Sequence, residues 1–239
     1  MPVTLLVEDG ISIQPSCYSR LVNKWYCADY LKDRHGDLTS ALTQHLQITA
    51  WSLGLGIVIA FPLALLARRL PRLQGLVLGT STMLYTIPSL ALFPLLVPFT
   101  GITEKTVVIG LALYALTILV RSMLAGLTGV PEEVRESARG LGYGRLRLLV
   151  RVELPLALPV IMAGIRVATV STVALTTVGT LVSYGGLGDL IRDGVQNDFK
   201  AELLAASVLC VVLAVVLDAV VVGIQWLVTP WTHGRGRAA

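Results

Sequence analysis

The sequence predicts an all-α, polytopic membrane protein, and three observations lead there. Of 239 residues, 54% are hydrophobic and only 14% are charged, giving a mean hydropathy of +0.75. A soluble domain of this size cannot bury that much apolar surface. The charges are gathered between long stretches that have almost none, and each stretch is long enough to cross a bilayer as a helix, which takes about 20 apolar residues. The net charge of +4 comes without any Lys/Arg run interleaved with aromatics. The arginines fall beside apolar stretches, as topology signals do, so nucleic-acid binding is not expected.

Taken in order, residues 1–37 form a polar N-terminal tail without the charged start and apolar run of a cleavable signal peptide. A transmembrane domain over 38–230 follows. Its first span, about 40–67, comes from the uncharged segment Leu38 to Ala67 and is closed by Arg68, Arg69 and Arg72. The second, about 75–98, lies within Leu73 to Thr103, where Pro88, Pro94 and Pro98 bend or end it. The third covers about 106–127, with Arg121 close enough to its end to snorkel. A charged loop, 129–155, separates it from the fourth span, about 156–181, and the fifth, about 203–228; residues 231–239 remain as a tail.

Basic residues orient these five spans. The Arg68 to Arg72 turn, the charged loop and Arg235/Arg237 share one side, while the opposite loops hold only Lys105, Arg192 and Lys200. The positive-inside bias makes the first side cytoplasmic, with the N-terminus outside and the C-terminus inside. Arg20, Lys24, Lys32 and Arg34 in the tail argue mildly the other way, offset by Glu8, Asp9, Asp29, Asp33 and Asp37. An external tail permits a disulfide between Cys17 and Cys27, stapling a cap that bears Tyr18, Trp25, Tyr26 and Tyr30 over the outer mouth; two unpaired thiols are the alternative.

The loop from Val130 to Pro155 carries the function. Pro131 suits a first helical position, Glu132 and Glu133 sit where the helix dipole favours negative charge, and Val134, Ala138 and Leu141 recur at helical spacing. Gly140, Gly142 and Gly144 end that helix, and Leu146 to Leu154 carries the chain back towards the bilayer. Glu136-Ser137-Ala138, three residues, Gly142, nine residues and Val152-Glu153-Leu154-Pro155 resembles the EAA loop of bacterial ABC importer permeases. That loop reads Glu-Ala-Ala, three residues, Gly, nine residues, Ile-x-Leu-Pro; Ser137 and Val152 depart from it by small changes. Thr86-Ile-Pro-Ser-Leu90, Gly185-Gly-Leu-Gly-Asp-Leu-Ile191 and the stretch from Val152 to Arg166 resemble permeases for glycine betaine, choline and carnitine. The Gly-Gly-Leu-Gly element also looks like that of methionine-type permeases.

The resemblance implies a five-helix ABC importer permease core with a cytoplasmic EAA coupling helix in a bacterial cell membrane. It implies a second permease subunit, identical or related, an external solute-binding protein, and two cytoplasmic ATPase subunits that grip the coupling helices. ATP and Mg are expected on those partners, since no Gly-rich loop ending in Lys-Ser/Thr occurs here. The residues expected at the ATPase contact are Glu132, Glu133, Glu136, Ser137, Ala138, Gly140, Leu141, Gly142 and Pro155, with the small Ala138 allowing a close partner.

Arg166 and Asp218 are ionisable residues at similar membrane depth on oppositely directed spans and are expected to pair. Tyr85 and Ser89, with the hydroxyls of Thr176, Thr177 and Ser183, are candidate pathway residues; an aromatic face suits a cationic solute. Asp189 and Arg192 are candidates for touching the binding protein, or are simply solvated. No catalytic or metal cluster is apparent: His35, His45 and His233 stand apart, so a membrane enzyme is not expected. A methionine-type permease, a channel and a secondary transporter are the alternatives, the last two disfavoured by the lack of a clear internal repeat.

Overall fold

The computed structural model describes residues 16–20 and 22–231. The readings that fall on residues 1–15 and 232–239, including Glu8, Asp9, His233, Arg235 and Arg237, lie outside the described residues. Among the described residues the regular elements are all helices: α1 (Ala28–Asp33), α2 (His35–Arg69), α3 (Pro71–Thr86), α4 (Ser89–Thr100), α5 (Glu104–Thr128), α6 (Glu132–Gly140), α7 (Arg145–Leu148), α8 (Leu154–Thr176), α9 (Leu187–Gln196) and α10 (Lys200–Val228).

α5 is the axis of the bundle, buried along most of its length between α2 and α8. Small residues make that possible. Gly56, Ala60, Ala64 and Ala67 form the buried stripe of α2, and a Cβ on Gly56 would sit 3.1 Å from Leu119. On the other side Gly164 of α8 lies so close to α5 that an added Cβ would fall 1.9 Å from Ser122 Oγ. Lipid tails are as apolar as these helices, so close backbone packing, rather than a hydrophobic drive, holds such a bundle together. α10 packs on α8 and α9 at the periphery, with Val208, Val211, Val215 and Val220 exposed.

The second span is not one helix. α3 and α4 meet at an angle of 100°, a break at Pro88, one of the three prolines expected to bend or end the span over 75–98. Pro88 has no N–H to continue the ladder and biases Ile87 towards an extended backbone, here φ −66°, ψ 124°. The Ile87 carbonyl released by the break accepts the Tyr114 hydroxyl from α5. Pro94 and Pro98, by contrast, lie inside α4 without ending it. The exposed Arg121 donates to Thr82 Oγ1 at 2.7 Å, and Thr117 donates to the Ser81 carbonyl at 2.5 Å, tying α3 to α5.

The helix that holds the first span, expected over about 40–67, runs on at its N-terminal end to His35, within the tail. α1 and the loop before it fold onto the α9–α10 turn. Asn23 Nδ2 donates to the Asp198 carbonyl at 2.6 Å, and the Lys200 N–H donates to Asn23 Oδ1 at 3.1 Å. Cys17 is bonded to Cys27, with Cα atoms 5.7 Å apart. Tyr18 and Tyr30 join Phe199 in an aromatic cluster, whereas Trp25 and Tyr26 point outward. The cap therefore sits on the α9–α10 turn. Alkylation of the unreduced full chain is expected to add mass at Cys210 alone, and modification of Cys17 or Cys27 without prior reductant would exclude the bond.

Arg166 of α8 meets Asp218 of α10 through two hydrogen bonds, Nε to Oδ1 at 2.9 Å and Nη2 to Oδ2 at 2.8 Å. Their side chains stay 41% and 30% exposed, so solvent or a neighbouring chain shares the cost of their charges. Asp218→Asn is expected to lower the unfolding midpoint in detergent, and Arg166→Met with Asp218→Leu to recover it. Equal midpoints for all three proteins would show that the pair holds nothing.

Candidate functional site

At the arginine-rich end of the bundle the loop between α5 and α8 folds as a short helix, α6, a turn, and a continuous climb into the membrane. Pro131 sits just before α6, and Glu132 and Glu133 occupy its first turn. Of Gly140, Gly142 and Gly144 only Gly142 takes a left-handed backbone, at φ +82°. There it lets the Gly142 N–H bond the Arg139 carbonyl and the Tyr143 N–H bond the Ala138 carbonyl, closing the helix end. Arg147 stacks over the Tyr143 ring at 4.4 Å.

Entry to α8 runs through a π-helical turn, Leu149–Glu153. Pro155 has no N–H for the Arg151 carbonyl, and its ring crowds that turn, so the helix widens there. The widened turn aims Glu153 inward, where it is 4% exposed. Arg68, at the end of α2, donates both terminal nitrogens to the Glu153 carboxylate, one at 2.6 Å. Arg135 of α6 approaches the same carboxylate at 3.4 Å, donates to the Leu127 carbonyl at 2.9 Å and pairs with Glu132 at 2.7 Å. Arg139 completes the chain, 2.9 Å from Glu132. Hydrogen bonds from Arg135, then from Arg139, hold the Glu132 carboxyl below the usual carboxylate range.

Glu153 is thus the knot where α2, α5, α6 and α8 are tied together. Sequence reading singled out the flanking motif residues and passed over it. The available signal was its position inside the motif with an arginine turn, Arg68 and Arg69, placed on the same side. A cleft of 710 Å3 opens beside the knot, with Arg69 and Arg145 on its walls.

The expected contact residues divide in two. Glu133, Glu136, Ser137, Gly140, Leu141 and Gly142 are exposed, with Leu141 at 78%. Ala138 is not available to a partner: it is 7% exposed and faces its own bundle. This corrects the close-approach role, because α6 lays the face bearing Arg135 and Ala138 on the loop that follows it. Pro155 lies half-buried at the helix entry and shapes the backbone.

The candidate pathway residues also divide. Tyr85 stands half-exposed at the end of α3, its ring edge-on to Tyr114 with centroids 5.7 Å apart, and Ser89 opens α4 just beyond the break. Thr176 lines no open surface in this chain. It is fully buried, donating to the Thr172 carbonyl and lying 3.2 Å from Thr49 Oγ1. Thr177 donates to the Ala174 carbonyl at 2.7 Å, and Ser183 is exposed at the opposite end of the bundle in a left-handed turn at φ +62°. Asp189 and Arg192 have internal partners, the Gly185 N–H at 2.9 Å and the Thr180 carbonyl at 3.1 Å. His45, buried between α2 and α8, bonds the Val173 carbonyl at 3.0 Å.

Comparison with known proteins meets this geometry. Residues 52–234 match the family described as binding-protein-dependent transport system inner membrane component. Similar proteins include the osmoprotectant import permease protein OsmW of Salmonella typhimurium, 37% identical over 84% of this chain and 96% of that one. The carnitine transport permease protein OpuCB of Listeria monocytogenes is 36% identical over 78% and 86%. The glycine betaine/carnitine/choline transport system permease protein OpuCB of Bacillus subtilis is 31% identical over 84% and 93%. Among solved structures, an inward-facing MetNI methionine ABC transporter shares the fold, with TM-score 0.75 and 22% identity over 83% of this chain and 99% of that one. A membrane bundle whose exposed polar helix is knotted to its spans, matched along most of its length by such relatives, belongs to the binding-protein-dependent transport family: the chain is a multi-pass inner-membrane permease subunit of an ABC importer, not an enzyme.

Proposed function

We propose that this chain carries a quaternary-amine osmoprotectant, such as glycine betaine, choline or carnitine, across the inner membrane. The observation that carries the solute class is the set of relatives: permeases named for osmoprotectants, carnitine, glycine betaine and choline match most of the chain at 30–37% identity. The helix break adds physical support. It presents the Tyr85 face, suited to a quaternary ammonium, beside the start of α4, whose N-terminal dipole suits a carboxylate. Tight capture belongs to the external binding protein, so a shallow aromatic contact is enough for passage.

In this reading the arginine-rich end faces the cytoplasm, the N-terminal cap lies outside, and the C-terminus is inside. Cytoplasmic ATPase subunits hold Mg and ATP and grip α6 through Glu133, Glu136, Ser137, Leu141 and Gly142. Closing of the ATPase pair draws the two coupling helices together. Because Glu153 ties α6 to α2 and α8, that movement is passed to the spans as a rigid rotation between two states. A second permease, identical or related, covers part of the apolar surface of α3 and α4, where Met83, Leu90 and Phe99 are exposed, and lipid covers the periphery of α10.

The test is uptake by cells or proteoliposomes carrying the permease, its ATPase and its binding protein. Unlabelled glycine betaine, choline or carnitine is expected to suppress uptake of labelled choline or betaine, with methionine having no effect. Uptake of methionine instead would assign the chain to another solute.

A further inference from the structure

The stapled cap borders an open cavity at the end of the bundle opposite α6. It measures 1110 Å3 and lies between the cap, the end of α9 and the start of α10. Its walls combine aromatic rings with charge. Tyr18, Tyr30 and Phe199 form one wall, with centroids 5.3 to 6.3 Å apart. Four carboxylates, Asp37, Asp193, Asp198 and Glu202, line it against two guanidiniums, Arg20 and Arg34. Arg34 is committed to Asp37 at 2.8 Å, and Asp198 receives Asn23. That leaves Asp193 and Glu202, whose carboxylates have no hydrogen bond or ion pair among the described residues, and Arg20, which is exposed. Tyr30 is only 2% exposed, yet its hydroxyl makes no hydrogen bond among the described residues. A phenol buried along its ring, with its hydroxyl opening into the cavity beside two unpaired carboxylates, gives the cavity both apolar and polar walls, as ligand sites have.

We propose that this cavity is a binding site for a small quaternary ammonium cation, separate from the helix break. The net negative lining calls for a cation. The aromatic wall favours one carrying methyl groups over a bare metal ion, which needs several oxygens converging at about 2.3–2.6 Å. The cap wall, with Tyr18, Arg20, Tyr30, Arg34 and Asp37, precedes the family match at residue 52, while Asp193, Asp198, Phe199 and Glu202 lie within it. Cys17–Cys27 fixes Tyr18 and α1 relative to each other, and Asn23 fixes both to the α9–α10 turn. The site would hold solute at the outer surface before or after passage. It rests on the solute class and orientation proposed above, although binding to the permease alone can be measured without transport.

The experiment is equilibrium dialysis of labelled choline against the purified full chain in nanodiscs, at constant ionic strength. Saturable binding is expected, displaced by tetramethylammonium chloride and not by an equal concentration of potassium chloride. Asp193→Asn with Glu202→Gln is expected to weaken binding about ten-fold or more. Tyr30→Phe, which keeps the ring, should weaken it about three-fold. Tyr85→Ala should leave this affinity unchanged. An intact disulfide and unaltered near-ultraviolet circular dichroism show that the variants fold, and Tyr30→Phe carries the test if the double variant does not. Absence of saturable binding, displacement by potassium, or full affinity in Tyr30→Phe overturns the site. So does loss of binding-protein affinity alone in the carboxylate variant, which would make the cavity a docking surface. Binding that behaves as expected while quaternary amines fail in the uptake assay removes the transport reading and leaves the site standing.

Discussion

Glu153→Gln is expected to reduce uptake to below a tenth of normal and to destabilise the folded bundle. The carboxylate is almost wholly buried between two guanidiniums, whose side chains are 18% and 14% exposed for Arg68 and Arg135. Removing its charge leaves the mostly buried Arg68 guanidinium without its carboxylate, while Arg135 keeps Glu132, and breaking a buried pair in this way costs up to about 3–5 kcal/mol. The loss also disconnects α6 from α2, so a push on the coupling helix no longer turns the spans. Thermal unfolding in detergent reads the first effect and ATP-driven uptake in proteoliposomes reads the second. Wild-type values for both would remove Glu153 from its place as the knot. Arg68→Met combined with Glu153→Leu separates the two roles. Apolar replacement of both partners is expected to restore the unfolding midpoint, while uptake stays low because the polar link is gone.

Gly142→Asp is the second large effect, with the opposite balance between fold and function. The residue sits at φ +82°, where a side chain costs about 1–2 kcal/mol, and aspartate tolerates that region better than most. An added Cβ meets nothing within 4 Å inside this chain. The permease is therefore expected to insert and unfold almost normally. Any strong effect must come from outside the chain, where a carboxylate would intrude on the ATPase surface proposed to grip α6. Uptake is expected to be abolished, and the ATPase subunit to be lost on co-purification. Gly142→Ala, with the same strain and less bulk, should retain part of both. Normal uptake by Gly142→Asp at normal expression would show that this turn does not face the motor.

Much of the fold could be read from hydropathy and punctuation. Long apolar stretches with at most one charge marked α2, α5, α8 and α10, because a span must be apolar along nearly its whole length, and Pro131 to Leu141 marked α6 within a residue at each end. Prolines were a weaker guide. Pro88 breaks the second span while Pro94 and Pro98 ride within a helix, and what separates them is a neighbour: the Tyr114 hydroxyl donates to the carbonyl freed at Ile87. Similarly, α9 was hidden in an outer loop, since its amphipathic pattern is only 10 residues long and follows a run of glycines.

Which residues stand where a partner or solute can touch them depended on facing, and facing is set by contacts distant in the chain. Ala138 looked like a platform for the ATPase and turned inward, because α6 rests on the loop after it. Thr176 looked like a pathway hydroxyl and was taken up by Thr49, 127 positions away. Glu153, one more charge in a charged loop, became the anchor when the π-turn brought it to Arg68, 85 positions away. Composition and spacing along the chain settle that the protein is a membrane bundle with a short polar helix between two spans, since solvation in lipid and helix periodicity are properties of consecutive residues. Which side chains are free and which are locked depends on how the helices rotate against one another, and that is settled only when small-residue stripes such as Gly56 to Ala67 find their partners on α5.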